Sequence, residues 1–313
     1  MTVPAIEISH AAQQLAAGAL VAFPTETVYG LGADAMNPQA VAKIFALKGR
    51  PSNHPLIVHL ARGTPLQQWA QHVPAYAQAL IDTFWPGPLT LVLKKSASVP
   101  PAVTGGQDTV GLRCPSHPVA QALLAEFARI GSGGVAAPSA NRFGQVSPTT
   151  AQHVRDEFGN QTPLLLDGGA CDLGIESTII DCTGAQPVLL RPGSIQRMQI
   201  QAVTGLPVLD RQADSPRVSG ALPAHYQPAT RVLLIAEPAQ LPGGKTALFA
   251  PVSPAGYGGV FRQAPADAYA YAHALYATLR ELDALALDLI CIAPPPDGPQ
   301  WEAVHDRLRR AAA

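Results

Sequence analysis

The sequence predicts a mixed α/β (α+β) fold built around a sizeable sheet over residues 1–206. A linker over 207–230 and a small open α/β domain over 231–313 complete it. Three observations predict this. Apolar strand-like runs alternate with helical patterns down to about residue 160, and three strand-like segments then crowd into 162–193. The stretch 207–230 holds four prolines and little periodicity. Beyond it, strands again alternate with helices.

The elements follow in order. ISHAAQQLAAG (8–18) reads as a short amphipathic helix ended by Gly18, and ALVAFP (19–24) as a buried strand stopped by Pro24. PTETVYGLGADAM is a loop rich in hydroxyls and glycines. In NPQAVAKIFALKGR, Asn37 suits an N-cap and Pro38 the first helical position. Strands are expected over 55–60, 87–95, 109–115 and 133–141, and helices over 64–84, 117–130 and 147–159, the last capped by Ser147. In the second part, RVLLIA, TALFA, GGVFRQ and DLICIA are strand-like, with helices over 266–285 and 301–311.

Composition narrows the class. Charged residues are 14% and the hydrophobic set 47%, which excludes a disordered polyelectrolyte. No apolar run reaches the length of a transmembrane helix. The opening MTVPAIEISHAAQQL shows no basic stretch leading into an apolar core, so a cytoplasmic location is expected. Cys114, Cys171, Cys182 and Cys291 are far apart, as buried reduced thiols would be. Residues 1–205 balance 12 Lys+Arg against 12 Asp+Glu, and 206–313 balance 9 against 10, so neither part has a nucleic-acid binder's global charge. Locally, no carboxylate occurs between Asp34 and Asp82, while Lys43, Lys48, Arg50, Arg62, His54, His59 and His72 do. A polyphosphate site would need such an island, and a chance gap in a low-charge chain fits equally.

Gly244, Lys245 and Thr246 imitate the end of a P-loop, but the first glycine would fall at Ala239 and no helix follows. Four other clusters combine hydroxyls, glycines and fixed positive charge: 23–32, 48–59, Thr109 to Arg113 with 138–147, and Ser177 with Arg191. No Ser-His-Asp arrangement, nucleophile elbow or H-E-x-x-H is present. The chemistry implied is positioning and charge neutralisation, as in phosphoryl and nucleotidyl transfer.

Seven segments stand in one series: PTETVYGLG, KIFALKGRPSNHPLIVHL, FWPGPLTLVL, VGLRCPSHP, APSANRFGQVSPT, IESTIID and LLRPGSI. Together they resemble the YrdC-like family in its longer two-domain form, and AHYQP (224–228) resembles that family's linker motif. The resemblance implies a twisted sheet with a large concave basic cavity and a Rossmann-like small domain whose linker closes over it. It implies an L-threonylcarbamoyladenylate synthase: L-threonine, bicarbonate or CO₂, and ATP give threonylcarbamoyl-AMP and pyrophosphate. The product would feed N6-threonylcarbamoylation of adenosine 37 in ANN-decoding tRNAs through a downstream transferase complex. ATP is then a substrate, Mg²⁺ its companion and tRNA a further candidate ligand.

The same resemblance places Lys48 and Arg50 as catalytic cations on the ATP phosphates, with His54 beside them. It assigns Thr109, Ser139, Asn141, Ser147, Arg191 and the linker's Tyr226 to the nucleotide. Thr27, His59, Arg113, Ala137 and Ser177 fall to threonine, with Arg113 on its carboxylate. Metal ligands are unassigned; Asp34, Asp167, Glu176 and Asp181 are candidates only by proximity to the motifs. Two rivals remain: a double-stranded RNA-binding module without catalysis, and a carbamoyl-adenylating enzyme of the hydrogenase-maturation type.

Overall fold

The computed structural model describes residues 3–236, 241 and 243–313. Its larger sheet has ten strands, numbered in chain order: β1 (Val21–Phe23), β2 (Gly30–Asp34), β3 (Ile57–Leu60), β4 (Leu89–Lys94), β5 (Thr109–Arg113), β6 (Gly134–Ala136), β7 (Leu164–Leu165), β8 (Thr178–Asp181), β9 (Val188–Arg191) and β10 (Leu209–Asp210). Across the sheet they run β10-β9-β8-β4-β5-β3-β6-β2-β1-β7, with parallel and antiparallel pairings mixed. Helices α1 (Ala5–Ala16) and α5 (Pro118–Ile130) pack on each other and bury Leu15, Leu123, Leu124 and Phe127. The larger core lies under α2 (Pro38–Lys48) and α3 (Ala75–Phe84), with Ile44, Trp69 and Leu91 in its interior.

Asn37 caps α2 as expected, its side chain accepting from the amides of Gln39 and Ala40 at 3.0 and 3.2 Å. Four local expectations needed revision. Residues 30–34, expected as loop from their glycines, form β2, paired antiparallel with β1. A Cβ at Gly32 would sit 2.8 Å from Val135 and 2.9 Å from Phe23, so the glycine there serves close packing. The helix expected over 64–84 is confined to α3, because Pro74 stands at its start and only a 3₁₀ turn precedes it. Helix α6 (Ala151–Phe158) is capped by Thr150, whose side chain accepts from the His153 amide at 3.2 Å. Ser147 turns inward instead. The short helices α4 (Pro101–Thr104) and α7 (Arg197–Thr204) were not anticipated. Within 207–230, β10 pairs parallel with β9, so the segment expected as a linker starts as part of the sheet.

The C-terminal part is a parallel four-stranded sheet, β11 (Val232–Leu234), β12 (Thr246–Ala250), β13 (Val260–Gln263) and β14 (Leu289–Ile292), in the order β11-β14-β12-β13. It carries α8 (Ala268–Asp283) and α9 (Glu302–Ala311). Ala239 lies outside the described residues; Gly244 and Lys245 lead directly into β12, as a plain turn would. The four cysteines are buried and unpaired. No helix among the described residues is long and apolar enough to cross a membrane.

Candidate active site

Strands β3 and β5 run parallel with His59 opposite Arg113, and β4 places Thr90 opposite Arg113 from the other side. Residues in register share one face of a sheet, so these three side chains project together. Loops at 24–29, 137–141 and 176–177 and the segment 217–227 close over that face. The cleft between them is lined by Arg50, His59, Arg113, Ala137, Ser139 and Arg191, together with Glu176, Ser219, His225 and Tyr226. Its open volume is about 50 Å³. That is room for about four waters, since one needs roughly 10–15 Å³.

Each arginine is aimed by specific partners. Arg113 donates from Nη2 to Glu26 Oε1 at 2.7 Å and to Thr27 Oγ1 at 2.9 Å. Glu26 also accepts from the Ser116 amide at 3.1 Å, so a buried carboxylate orients the guanidinium. Arg191 donates from Nε and Nη2 to the Ser177 carbonyl at 3.1 and 2.9 Å, and from Nη1 to the Ser219 carbonyl at 3.0 Å. Arg50 donates from Nη2 to the Pro55 carbonyl and to Ser219 Oγ, both at 2.9 Å. Ser219 thus occupies both arginines.

The wall behind the cleft is held by Lys48. The inner face of α2 buries it, and Nζ donates to the carbonyls of Ser139, at 2.6 Å, and Asn141. Asn141 in turn donates to the carbonyls of Arg142 and Gln145 at 2.7 and 2.9 Å. Ser147 donates to Glu176 Oε1 at 2.6 Å. Arg50 Nε, Arg113 Nε, Asn141 Oδ1, His225 Nδ1 and the Tyr226 hydroxyl are buried without hydrogen-bond partners among the described residues. Such orphans are few in any fold, and five in or beside one cleft mark it as built for a polar ligand.

Of the residues expected from sequence, Arg50, His59, Arg113, Ala137, Ser139, Arg191 and Tyr226 line the cleft. Thr27 and Ser177 stand one hydrogen bond behind, on Arg113 and Arg191. Lys48, Asn141 and Ser147 form the supporting wall. His54 and Thr109 lie off it. The His54 ring packs edge-on against Phe143 at 5.2 Å, and Thr109 lines an adjoining groove beneath 217–219. Glu26, Ser219 and Arg307 were missed; only Glu26 had a signal, its place inside PTETVYG.

Burial sets the protonation of the site. It pushes the His59 imidazole down to about 3, with Arg113 adding to the effect. It also pushes His225 down to about 3, against the pull of Glu176. Burial lowers Arg50 to about 10, and burial with Arg50 as neighbour lowers Lys48. Glu176 is raised by burial but held at about 2 overall by Arg307 and Arg191. Once unfolded, both histidines return to the ordinary value near 6.5. The unfolded chain then binds more protons than the folded one between pH 6.5 and about 3, so stability is complete above pH 6.5 and declines as pH falls through that window. Glu176 acts in the same direction at lower pH. Thermal melts should show Tm dropping from about pH 7 to about pH 4; a flat profile would contradict neutral burial of the two rings.

The four candidate carboxylates do not fit a resident magnesium site. Asp34 accepts from Ser132, Asp167 from the Gly169 amide and Asp181 from the Thr183 amide, and Glu176 is paired with Arg307. Among the described residues no three His, Cys, Asp or Glu side chains are grouped for a metal.

Residues 13–193 match the Sua5/YciO/YrdC family model, described as telomere recombination. The chain belongs to the Sua5/YciO/YrdC family. Residues 195–313 match the model of the threonylcarbamoyl-AMP synthase C-terminal domain, which places the chain in the family's long form. A Bacillus subtilis threonylcarbamoyl-AMP synthase is 39% identical, covering 98% of this chain and 93% of its own. The Pyrococcus abyssi threonylcarbamoyl-AMP synthase is 44% identical over 74% of this chain and 68% of its own. The crystal structure of Pyrococcus abyssi Sua5 complexed with L-threonine superposes with a TM-score of 0.91 at 36% identity, covering 100% of this chain and 96% of that one.

Proposed function

We propose that this family member is a threonylcarbamoyl-AMP synthase, joining L-threonine, bicarbonate or CO₂, and ATP into threonylcarbamoyl-AMP with release of pyrophosphate. The observation that carries the reading is the whole-chain superposition on the threonine-bound Sua5. The reaction class is nucleotidyl transfer. The product goes to a downstream transferase complex that modifies adenosine in ANN-decoding tRNA, in the cytoplasm.

The neutral threonine amine attacks CO₂, an N–H bond breaks with its proton passing to water, and a carbamate forms. A carbamate oxygen attacks the α-phosphorus, the bond to the bridging oxygen breaks, and pyrophosphate leaves with the electron pair. Arg113 offers its unpartnered Nε edge to the threonine carboxylate, a planar fork suited to that group. Neutral His59 beside it can accept from threonine without adding charge repulsion. Arg50 and Arg191 take the phosphates once Ser219 gives way, because phosphate oxygens are stronger acceptors than the serine oxygens they now bind. Lys48 adds its charge to theirs and holds the 139–141 loop. Magnesium travels with the ATP phosphates and water rather than on protein carboxylates. The cleft is too small for the substrates while the linker is down, so 217–227 acts as a lid that excludes water from the labile carbamate.

The test is pyrophosphate release by purified protein. Release requiring ATP, bicarbonate and L-threonine together, and falling sharply with L-alanine, supports the reading; release indifferent to threonine overturns it. The lid has its own check. Gly220 has φ +75°, and a Cβ there would meet the Tyr226 hydroxyl at 2.1 Å and Arg191 Nη1 at 3.0 Å. Gly220→Ala should hold the linker ajar and speed limited proteolysis within 211–217. Cleavage at the wild-type rate would refute a seated linker.

A further inference from the structure

We propose that Arg307, on the terminal helix α9, is the positioning residue through which the C-terminal domain sets the nucleotide side of the cleft. This rests on the synthase reading and deepens it. Arg307 is wholly buried and does not line the cleft. Its Nε donates to Glu176 Oε2 at 2.9 Å, and its Nη1 to the Pro192 carbonyl at 3.0 Å and to Asp306 at 2.8 Å. Its guanidinium carbon lies 5.3 Å from the centroid of the Tyr226 ring. Tyr276 of α8 donates to the same Glu176 oxygen at 2.9 Å and lays its ring 5.5 Å from that of Tyr226.

Two features require this support. Tyr226 has φ +62°, a conformation that strains a bulky residue and persists only where its surroundings impose it. The Arg307 cation below the ring and the Tyr276 ring beside it are those surroundings. Glu176, in turn, is a carboxylate lining a cleft that must accept a polyphosphate. Unpaired, it would repel the ligand; paired with Arg307, it is neutralised and left to hold Ser147. Buried ion pairs are seldom retained for stability alone, because apolar replacements of similar volume often do as well. A role in setting charge and geometry at the cleft accounts for this one. The same helix grips the linker directly: the His225 amide donates to the Arg310 carbonyl at 3.2 Å, and Arg310 donates to the Leu222 carbonyl.

The experiment compares Arg307→Met with the double variant Arg307→Met/Glu176→Gln, reading ATP affinity by calorimetry alongside KM for both substrates. Arg307→Met should weaken ATP at least about tenfold, as an exposed like charge would, and leave the threonine KM within about threefold. The double variant should recover most of the ATP affinity, since no lone charge remains. Unchanged ATP affinity in Arg307→Met, or equal losses for both substrates that Glu176→Gln does not recover, overturns the proposal. Should Arg307→Met fail to fold, Arg307→Lys is read instead. Its retained charge should keep ATP affinity within about threefold while the loosened Tyr226 lowers kcat; any other pattern overturns the proposal. The synthase reading is judged separately, by the wild-type requirement for threonine.

Discussion

Arg113→Ala should raise the KM for L-threonine by about 30- to 1,000-fold, which corresponds to the roughly 2–4 kcal/mol at stake in a buried charge-assisted pair. ATP affinity should change far less, because Arg113 stands on the β5 side of the cleft while Arg50 and Arg191 face the linker. The single variant is not a clean test, however. It strands Glu26, a carboxylate buried to 4% exposure whose side chain's only other partner among the described residues is the Ser116 amide. An uncompensated buried charge costs about 3–5 kcal/mol, enough to unfold much of the protein and depress every kinetic constant together. Arg113→Ala/Glu26→Gln removes both charges. In that double variant Tm should recover toward wild type while the threonine KM stays high. If the threonine KM recovers with Tm, Arg113 serves the fold and another group holds the carboxylate. If ATP and threonine suffer equally in the double variant, the division of the cleft proposed above is wrong.

Glu26 also shows where sequence reading ran out. The motif residues around it were legible because each carries a type-specific signal: Arg113 closes an apolar strand, Lys48 closes a capped helix, and Arg191 precedes a Pro-Gly turn. The α/β pattern was legible for the same reason, since Asn37 and Pro38 announce α2 and the alternating runs announce most strands. Glu26 sits inside PTETVYG, but its role in orienting an arginine leaves no such mark, because its partner lies 87 residues away. β2 was hidden by its own packing: the glycines that let it approach Val135 and Phe23 are the residues that read as loop. The cap of α6 shifted from Ser147 to Thr150 because Ser147 is committed to Glu176, a tertiary bond that local propensity cannot reveal. The four prolines of 207–230 mark a segment of little regular structure, which begins as the short strand β10. Nothing local indicated that it would lie across the sheet with Ser219 between two arginines.

Lys48→Met should lower kcat/KM for ATP by about 10²–10³-fold, the scale seen when one fixed electrostatic donor is lost from a site. Two effects combine. The charge nearest the 139–141 loop disappears, and the carbonyls of Ser139 and Asn141 lose their donor. Each stranded buried acceptor costs about 1–3 kcal/mol, so the loop should shift to rehydrate them and carry Ser139 out of the cleft. Methionine keeps the volume of the buried stem, and the core around Ile44 and Phe45 should survive, which makes a selective loss of nucleotide the diagnostic result. A second readout separates charge from loop geometry. Burial and the neighbouring Arg50 hold the Lys48 ammonium well below its ordinary range. Phosphate oxygens arriving nearby would draw that value back up. At alkaline pH, ATP binding should therefore take up a proton, seen as a dependence of the calorimetric heat on the ionisation enthalpy of the buffer. Lys48→Met should abolish that uptake. Equal uptake in both proteins, or a kcat/KM for ATP within about threefold of wild type, would leave Lys48 a structural clamp on its loop and shift the phosphate role entirely to Arg50 and Arg191.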